Sequence, residues 1–391
     1  MQPNPPRLAA NFSTSASLAS PVSALPEARF SATGRATLEE RAGLFVWPGL
    51  AGTAITPGER RVLSLYKPSG VVLFRRNLAS LTQGDTLVRE IRAILPGCVV
   101  AIDEEGGSVA RLPWPVPRGL PALQMADGGE RGVAQARQQA LLQALVSSGL
   151  GIDCILGPVA DVLTNPDNPV MGDRCYGRDA ATVAAFVQEV SALFLAHGVH
   201  ACVKHFPGHG DTVTDTHHGF AETSTSRSTL ERREWVPFLA AFRAGVRLCM
   251  TAHVRVPDLD PDLPATLSSV ALREVLRGSL GFEGLVLSDD LRMKAIALHY
   301  GVTDHVMSAA VVDDVDGLAG AVRSGYLHRA APDALRAGCD VLLSCQSAVL
   351  EEETLAGVRD ALHDDPSFVA EMETRVPHFA RAGLWRAAHI G

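Results

Sequence analysis

The chain has 391 residues, 47% of them apolar and 20% charged, with a formal net charge of −8. An acidic balance argues against a nucleic-acid partner, which requires a basic face against the phosphates. No run of about eighteen apolar residues occurs, so the sequence predicts no membrane-spanning helix.

Residues 1–37 are rich in Ala, Ser and Pro and carry neither a helical nor a strand period. They lack the continuous apolar core of a signal peptide and read as a low-complexity tail, with residues 38–391 forming one folded domain. From residue 40 onward, short apolar runs alternate with longer amphipathic stretches. The runs fall at 43–47, 70–74, 98–102, 152–156, 199–203, 247–251, 284–287 and 339–343. The stretches at 57–66, 82–95, 129–148, 179–197, 230–244 and 272–278 have the helical period, and two more helices follow at 351–363 and from Pro366 toward Arg381. Strand and helix in alternation predict a parallel sheet. Eight units over about 350 residues predict a closed (β/α)8 TIM barrel. An open doubly wound sheet usually carries a phosphate-binding glycine fingerprint after its first strand, and neither G-x-G-x-x-G nor G-x-x-x-x-G-K-[ST] is present.

Two segments interrupt the alternation. The stretch 161–178, D-V-L-T-N-P-D-N-P-V-M-G-D-R-C-Y-G-R, reads as a long loop, a length more often functional than idle. The stretch 299–334, with Asp313, Asp314 and Asp316, reads as a surface excursion. The seven cysteines contain no C-x-x-C pair, and six of them (Cys98, Cys154, Cys202, Cys249, Cys339 and Cys345) sit in apolar runs. That usage predicts a reducing compartment, hence the cytoplasm, with cysteine as a small core residue.

A barrel enzyme draws its active-site groups from the C-terminal ends of several strands. Five of the eight runs end near an ionisable group: Asp103, Asp161, Lys204 with His205, His253, and Asp289 with Asp290. The densest stretch is 204–219, K-H-F-P-G-H-G-D-T-V-T-D-T-H-H-G. There Asp215 and His217 are two residues apart, so in extended backbone they share a side, and a carboxylate on one ring nitrogen turns an imidazole into a working acid/base. Together with an Asp at a strand tip this predicts a two-step displacement, in which one carboxylate attacks while the imidazole serves the leaving group and then water. Asp289 and Asp290 are both candidates for the nucleophile. Since neighbours on a strand point to opposite faces, only one should face the pocket unless the strand has ended.

These motifs match a family. The sequence resembles glycoside hydrolase family 3, in its single-domain β-N-acetylhexosaminidase branch, through I-D-E-E-G-G-S-V-A-R-L at 102–112, G-P-V-A-D-V-L-T-N-P-D-N-P-V-M-G-D-R at 157–174, K-H-F-P-G-H-G-D-T-V-T-D-T-H at 204–217, M-T-A-H-V at 250–254, L-P-A-T-L-S at 263–268 and S-D-D-L-R-M at 288–293. The resemblance implies Asp289 as nucleophile and His217 with Asp215 as acid/base. It places Asp103, Arg111, Arg174, Lys204 and His205 on the hydroxyls of the terminal sugar, and Asp161 and His253 in the pocket or its support. His209 and His218 are then expected to be structural or idle. The implied activity is that of a retaining exo-β-N-acetylglucosaminidase acting on GlcNAc-terminated glycans or muropeptide fragments of peptidoglycan, with no cofactor and no metal. Thr216 stands where Ser is common, Glu104 where Gln is usual, Ser108 where Arg is usual, and Cys175-Tyr176 where Ser-Phe is usual. Glu104 is expected to add charge near the site.

Other chemistries fit less of the pattern. His205-x-x-x-His209 has ligand spacing for a metal hydrolase, but Pro207 and two glycines break the helix that spacing needs. Lys204 as a Schiff base would leave the Asp–His pair and Asp289 without a role, and a barrel that only binds sugar needs none of the three. Phosphorolysis remains open beside hydrolysis, because a neutral imidazole repels incoming phosphate less than a carboxylate does.

Overall fold

The structure, a computed structural model, describes residues 36–212, 221–302, 325–346 and 351–384. Its strands are β1 (Val46–Pro48), β2 (Gly70–Leu73), β3 (Val99–Ile102), β4 (Cys154–Ile155), β5 (His200–Phe206), β6 (Ala221–Glu222), β7 (Leu248–Thr251), β8 (Val254–Arg255), β9 (Leu285–Asp290) and β10 (Val341–Ser344). Eight of them form one parallel sheet in the order β1-β10-β9-β7-β5-β4-β3-β2. A parallel bridge from Gly49 to Val72 brings its two edge strands together. The fold is therefore the (β/α)8 barrel that the alternation predicts. β6 and β8 make a separate two-stranded ribbon beyond the ends of β5 and β7.

The barrel strands are buried along nearly their whole length. This is why they read as continuous apolar runs rather than alternating ones: one face fills the barrel and the other packs under helices. All seven cysteines are buried, and Cys175 lies outside the apolar runs in a small cluster with Val159, Leu163 and Met171. Among the described residues, no helix is long and apolar enough to cross a membrane.

Helices cover the barrel at Leu81–Ile94, Gly129–Gly149 and Ala180–Ala196, close to their expected bounds. Their starts follow from capping: the Ser80 hydroxyl accepts the Gln83 N–H at 3.2 Å, and the Asp179 carboxylate accepts the Thr182 N–H at 2.9 Å. Glu352–Asp364 and Pro366–Ala382 form the expected C-terminal pair.

Several local expectations are corrected. Residue 43 ends a helix, Leu38–Gly43, so the first strand starts only at Val46. The stretch 230–244 is two helices, Arg227–Arg232 and Trp235–Arg243, parted at Arg233 and Glu234. Val270–Ser279 is wound as a π-helix, with the Leu280 N–H donating to the Val275 carbonyl five residues back. The stretch 299–334 is not simply an excursion, because Tyr326–Ala337 is a barrel helix that buries Tyr326, Leu327, Ala331 and Leu335. Pro332 inside that helix and Gly325 at its start hid its period. Asp313, Asp314 and Asp316 lie outside the described residues.

Two strands outrun their apolar runs, and both lead into the site. β5 continues through Lys204 and His205 to Phe206, which pairs with Thr251. Phe206 sits between Trp235 and Phe238, with centroids 6.2 and 5.6 Å away. Each such ring pair contributes about 0.5–1.5 kcal/mol beyond its buried area, which anchors the strand end carrying Lys204 and His205. β9 continues through Ser288, Asp289 and Asp290.

Candidate active site

A cavity of ≈330 Å³ opens at the C-terminal ends of the strands. Asp103, Arg111, Arg174, Lys204, His205, His209, Asp289 and Asp290 line it, with an apolar border of Phe74, Leu156, Val170, Met250, Met293 and Leu343. Six of the sequence-predicted residues thus meet around one space. Asp161 and His253 stand behind the wall. Asp215 and His217, with Thr216 and His218, lie outside the described residues.

The floor on the β3–β5 side is a closed set of charges. Lys204, almost fully buried, places Nζ 2.6 Å from Asp103 Oδ1 and 2.6 Å from Glu105 Oε1. Arg174 donates two parallel bonds to Glu105, from Nε and Nη2, each of 2.8 Å. Arg111 Nη2 lies 3.5 Å from Asp103 Oδ2. Burial alone would raise the Glu105 carboxyl, but Arg174 and Lys204 hold it far below the ordinary range. Burial pulls Lys204 down, and Asp103 and Glu105 reverse it to a net rise. Three cations against two carboxylates leave the floor rich in donors.

Glu105 is the member that the sequence reading missed. Its signal is the period of two at a strand tip: Asp103 and Glu105 fall on one side of D-E-E and Glu104 on the other. Glu104 accordingly turns away from the cavity. Its Oε2 accepts the N–H groups of Arg111 at 2.5 Å and Leu112 at 2.8 Å. It is not among the residues that line the cavity; it straps down the backbone that presents Arg111. Burial raises its carboxyl, and those two N–H donors oppose the rise.

Behind the β5 wall, the buried Asp161 orients His205. Asp161 Oδ2 sits 2.8 Å from His205 Nδ1 and accepts the His205 N–H at 3.2 Å, while Oδ1 accepts the His209 N–H at 2.6 Å. Burial raises Asp161, yet the His205 imidazole leads a set of contacts that bring it below its usual value. With Nδ1 so held, Nε2 is the ring nitrogen left to the cavity. Gly210 allows the following turn to press on the 161–178 loop, since a Cβ there would meet the Val162 carbonyl oxygen at 1.9 Å. His209 is structural through its backbone but is not idle. It lines the cavity, its Nδ1 lies 2.9 Å from Thr212 Oγ1, and burial lowers its pKa to about 4, which keeps the ring neutral.

Asp289 and Asp290 both reach the cavity, contrary to the expected alternation. β10 advances two residues, Val341 to Leu343, while β9 advances three, Leu287 to Asp290. That irregularity breaks the period of two where the site begins. The two carboxylates differ in environment. Burial raises Asp289, but the imidazoles of His205 and His253 lead a larger opposing set, and its pKa is net lowered. Its Oδ1 also accepts the Asp290 N–H at 2.8 Å. Asp290 is pushed up to about 7 by burial and by the nearby Glu351 carboxylate. Of the pair, Asp289 is therefore the one held ionised. His253 supports this wall, with Nδ1 2.7 Å from Thr266 Oγ1 and Nε2 donating to the Asp290 carbonyl at 2.9 Å.

A parallel barrel whose mouth holds an ionised carboxylate among fixed donors is the architecture of a barrel glycosidase. The chain matches the family described as the glycosyl hydrolase family 3 N-terminal domain over residues 37–379. It belongs to that family and is a glycoside hydrolase of the β-hexosaminidase kind. It is 36% identical over 317 residues to the β-hexosaminidase of Xanthomonas campestris pv. campestris (strain B100), a match covering 79% of this chain and 86% of the relative. The family 3 β-N-acetylglucosaminidase from Paenibacillus sp. str. FPU-7 superposes with a TM-score of 0.76 at 32% identity, covering 89% of this chain and 63% of that one. NagZ from Neisseria gonorrhoeae, solved in complex with N-trifluoroacetyl-D-glucosamine, gives 0.66 at 28% identity, covering 88% of this chain and 98% of that one.

Proposed function

We propose that the protein is a retaining exo-β-N-acetylglucosaminidase that removes single β-linked GlcNAc residues, with fragments of peptidoglycan as the natural substrate and the cytoplasm as the place of action. Asp289 attacks the anomeric carbon. His217, tuned by Asp215, first protonates the leaving oxygen and then takes a proton from the water that releases the sugar. Asp103, Arg111, Arg174, Lys204 and His205 hold the hydroxyls of the terminal sugar, and Asp161 and His253 hold the wall behind them.

The observation that carries this reading is Asp289, a carboxylate held below its ordinary pKa that shares one cavity with a floor built from paired Lys, Arg and Asp. Such groups suit pairs of sugar hydroxyls because they offer fixed, charge-assisted donors and acceptors. Arg111 Nε is buried and has no hydrogen-bond partner among the described residues, which favours an incoming acceptor there. At ≈330 Å³ the cavity is at the small end of the range for ligand pockets, about 300–1,000 Å³, which favours one terminal sugar over an extended chain. The N-trifluoroacetyl-D-glucosamine bound by the Neisseria relative, an N-acylated glucosamine, supports the choice of GlcNAc. Cysteines buried as small core residues, with no C-x-x-C pair among them, suit a reducing compartment.

The test measures release of 4-nitrophenol from the β-GlcNAc and β-glucoside derivatives, with and without phosphate. The expected outcome is preference for GlcNAc and no dependence on phosphate. Turnover of neither substrate would sink the reading, and a phosphate-dependent rate yielding the sugar 1-phosphate would replace hydrolysis by phosphorolysis.

A further inference from the structure

Thr212 and Ala221 flank the eight residues that include Asp215 and His217. The chain is tied down on both sides of them. On the outgoing side, Asn165 Nδ2 donates to the Thr212 carbonyl at 2.9 Å. Asn168 Nδ2 donates to the carbonyls of His209 and Thr212 at 2.8 and 3.0 Å. On the returning side, β6 pairs with β8, and the Thr223 N–H donates to the Arg255 carbonyl at 3.1 Å.

One side chain joins the two sides. Asp211 Oδ1 accepts the Thr164 hydroxyl at 2.8 Å, and Oδ2 accepts the Thr223 hydroxyl at 3.0 Å and the Thr225 hydroxyl. Arg233 Nη2 lies 3.5 Å from the same Oδ2. Thr164 belongs to the 161–178 loop, Asp211 to the turn that follows β5, and Thr223 and Thr225 to the return. A carboxylate has about four acceptor positions, and three hydroxyls and a guanidinium occupy them here. The Asp211 side chain keeps 32% of its surface exposed, so it is no strut of the core. What it holds is the neck from which His217 departs, five residues beyond Thr212 and four before Ala221.

We propose that Asp211 is a positioning residue for proton transfer: by gathering Thr164, Thr223 and Thr225 onto one carboxylate, it fixes where the chain leaves and re-enters around Asp215 and His217, and so where the imidazole stands relative to Asp289. An amide at this position accepts on one atom only, so Asn keeps part of the junction and Ala none of it. The proposal rests on His217 being the acid/base.

The experiment measures kcat/KM of the full-length protein on two GlcNAc β-glycosides. One is the dinitrophenyl glycoside, whose leaving group departs without a proton; the other is chitobiose, whose leaving group needs one. The variants are Asp211→Ala, Asp211→Asn, His217→Ala and the double Asp211→Ala/His217→Ala, each checked by thermal unfolding. Asp211→Ala should lose about 10²-fold on chitobiose, the scale of general acid catalysis, and no more than roughly fivefold on the dinitrophenyl glycoside. Asp211→Asn should fall between Ala and wild type. In the His217→Ala background the Asp211 change should cost little more, because the group it places is already gone. Equal losses on both substrates would overturn the proposal, as would fully additive losses in the double variant. If Asp211→Ala does not fold, the same substrate ratio for Asp211→Asn decides the matter. If His217→Ala itself shows no leaving-group dependence, the acid/base reading fails and the proposal falls with it. If His217→Ala shows it and neither Asp211 variant does, the proposal alone fails.

Discussion

The two sides of the cavity handle buried charge in opposite ways. On the β3–β5 side every charge has a partner: Lys204 sits between Asp103 and Glu105, and Glu105 also grips Arg174 through two bonds. On the β9–β10 side two carboxylates follow one another in sequence, and no cation is bonded to either of them among the described contacts. The first side is paired and locked with one cation in excess, which suits holding a substrate. The second leaves Asp289 ionised and Asp290 pushed up to about 7, which suits a group that forms and breaks a bond. A barrel mouth can thus line one cavity with eight polar side chains when the charges of one side are paired and the carboxylates of the other are flanked by imidazoles and backbone.

The sharpest way to break this contrast is Asp289→Ala. It should lower kcat by on the order of 10⁴-fold or more on any leaving group, as loss of a nucleophile does. Steady-state rates on the 4-nitrophenyl and dinitrophenyl glycosides check it, and an Asp290 variant that loses as much would erase the distinction between the pair.

Next comes Lys204→Met. It leaves Asp103 and Glu105 buried without their shared cation, and breaking such a set costs about 3–5 kcal/mol. Urea unfolding should show the loss, and KM should rise. A stable variant with unchanged KM would mean that the floor is not a locked charge set.

Acid should expose the same floor. The folded-state values of Glu105 and Asp161 are depressed, so their contribution to stability is complete above the ordinary carboxylate range and is lost as pH falls through the folded values. Thermal unfolding from pH 6 to pH 3 should show declining stability, and the slope should flatten in Glu105→Gln.

The smallest expected effect belongs to Asp290→Asn. A raised folded value contributes stability that is present below the unfolded value and is lost as pH rises through about 7. Wild type should therefore lose a little stability from pH 6 to pH 8, and Asp290→Asn should not. The same slope in both proteins would remove Asp290 from the argument.

The barrel was legible because its strands are buried on both faces and its helices on one, so hydropathy marks both. Hydropathy fails where a strand enters the polar mouth. Lys204, His205, Asp289 and Asp290 are strand residues, yet they fall past the ends of the apolar runs because their partners are polar groups rather than apolar neighbours. Glu105 was missed although strand alternation pairs it with Asp103. The joint approach of Asp289 and Asp290 could not be read at all, since it comes from a mismatch with β10, more than fifty residues away in sequence. The helix Tyr326–Ala337 was hidden by its own Pro332.

The 161–178 loop supplies Arg174 to the charged floor of the cavity, and through Thr164, Asn165 and Asn168 it also holds the chain from His209 to Thr212. For protein engineering, this makes the loop and residues 205–212 a joint to be exchanged together. Exchanging either one alone with a relative would put a foreign surface against Gly210, where the two backbones already touch with no room for a side chain. Substrate range in such a scaffold is better changed along the apolar border at Phe74, Met250 and Met293, which makes no part of that joint.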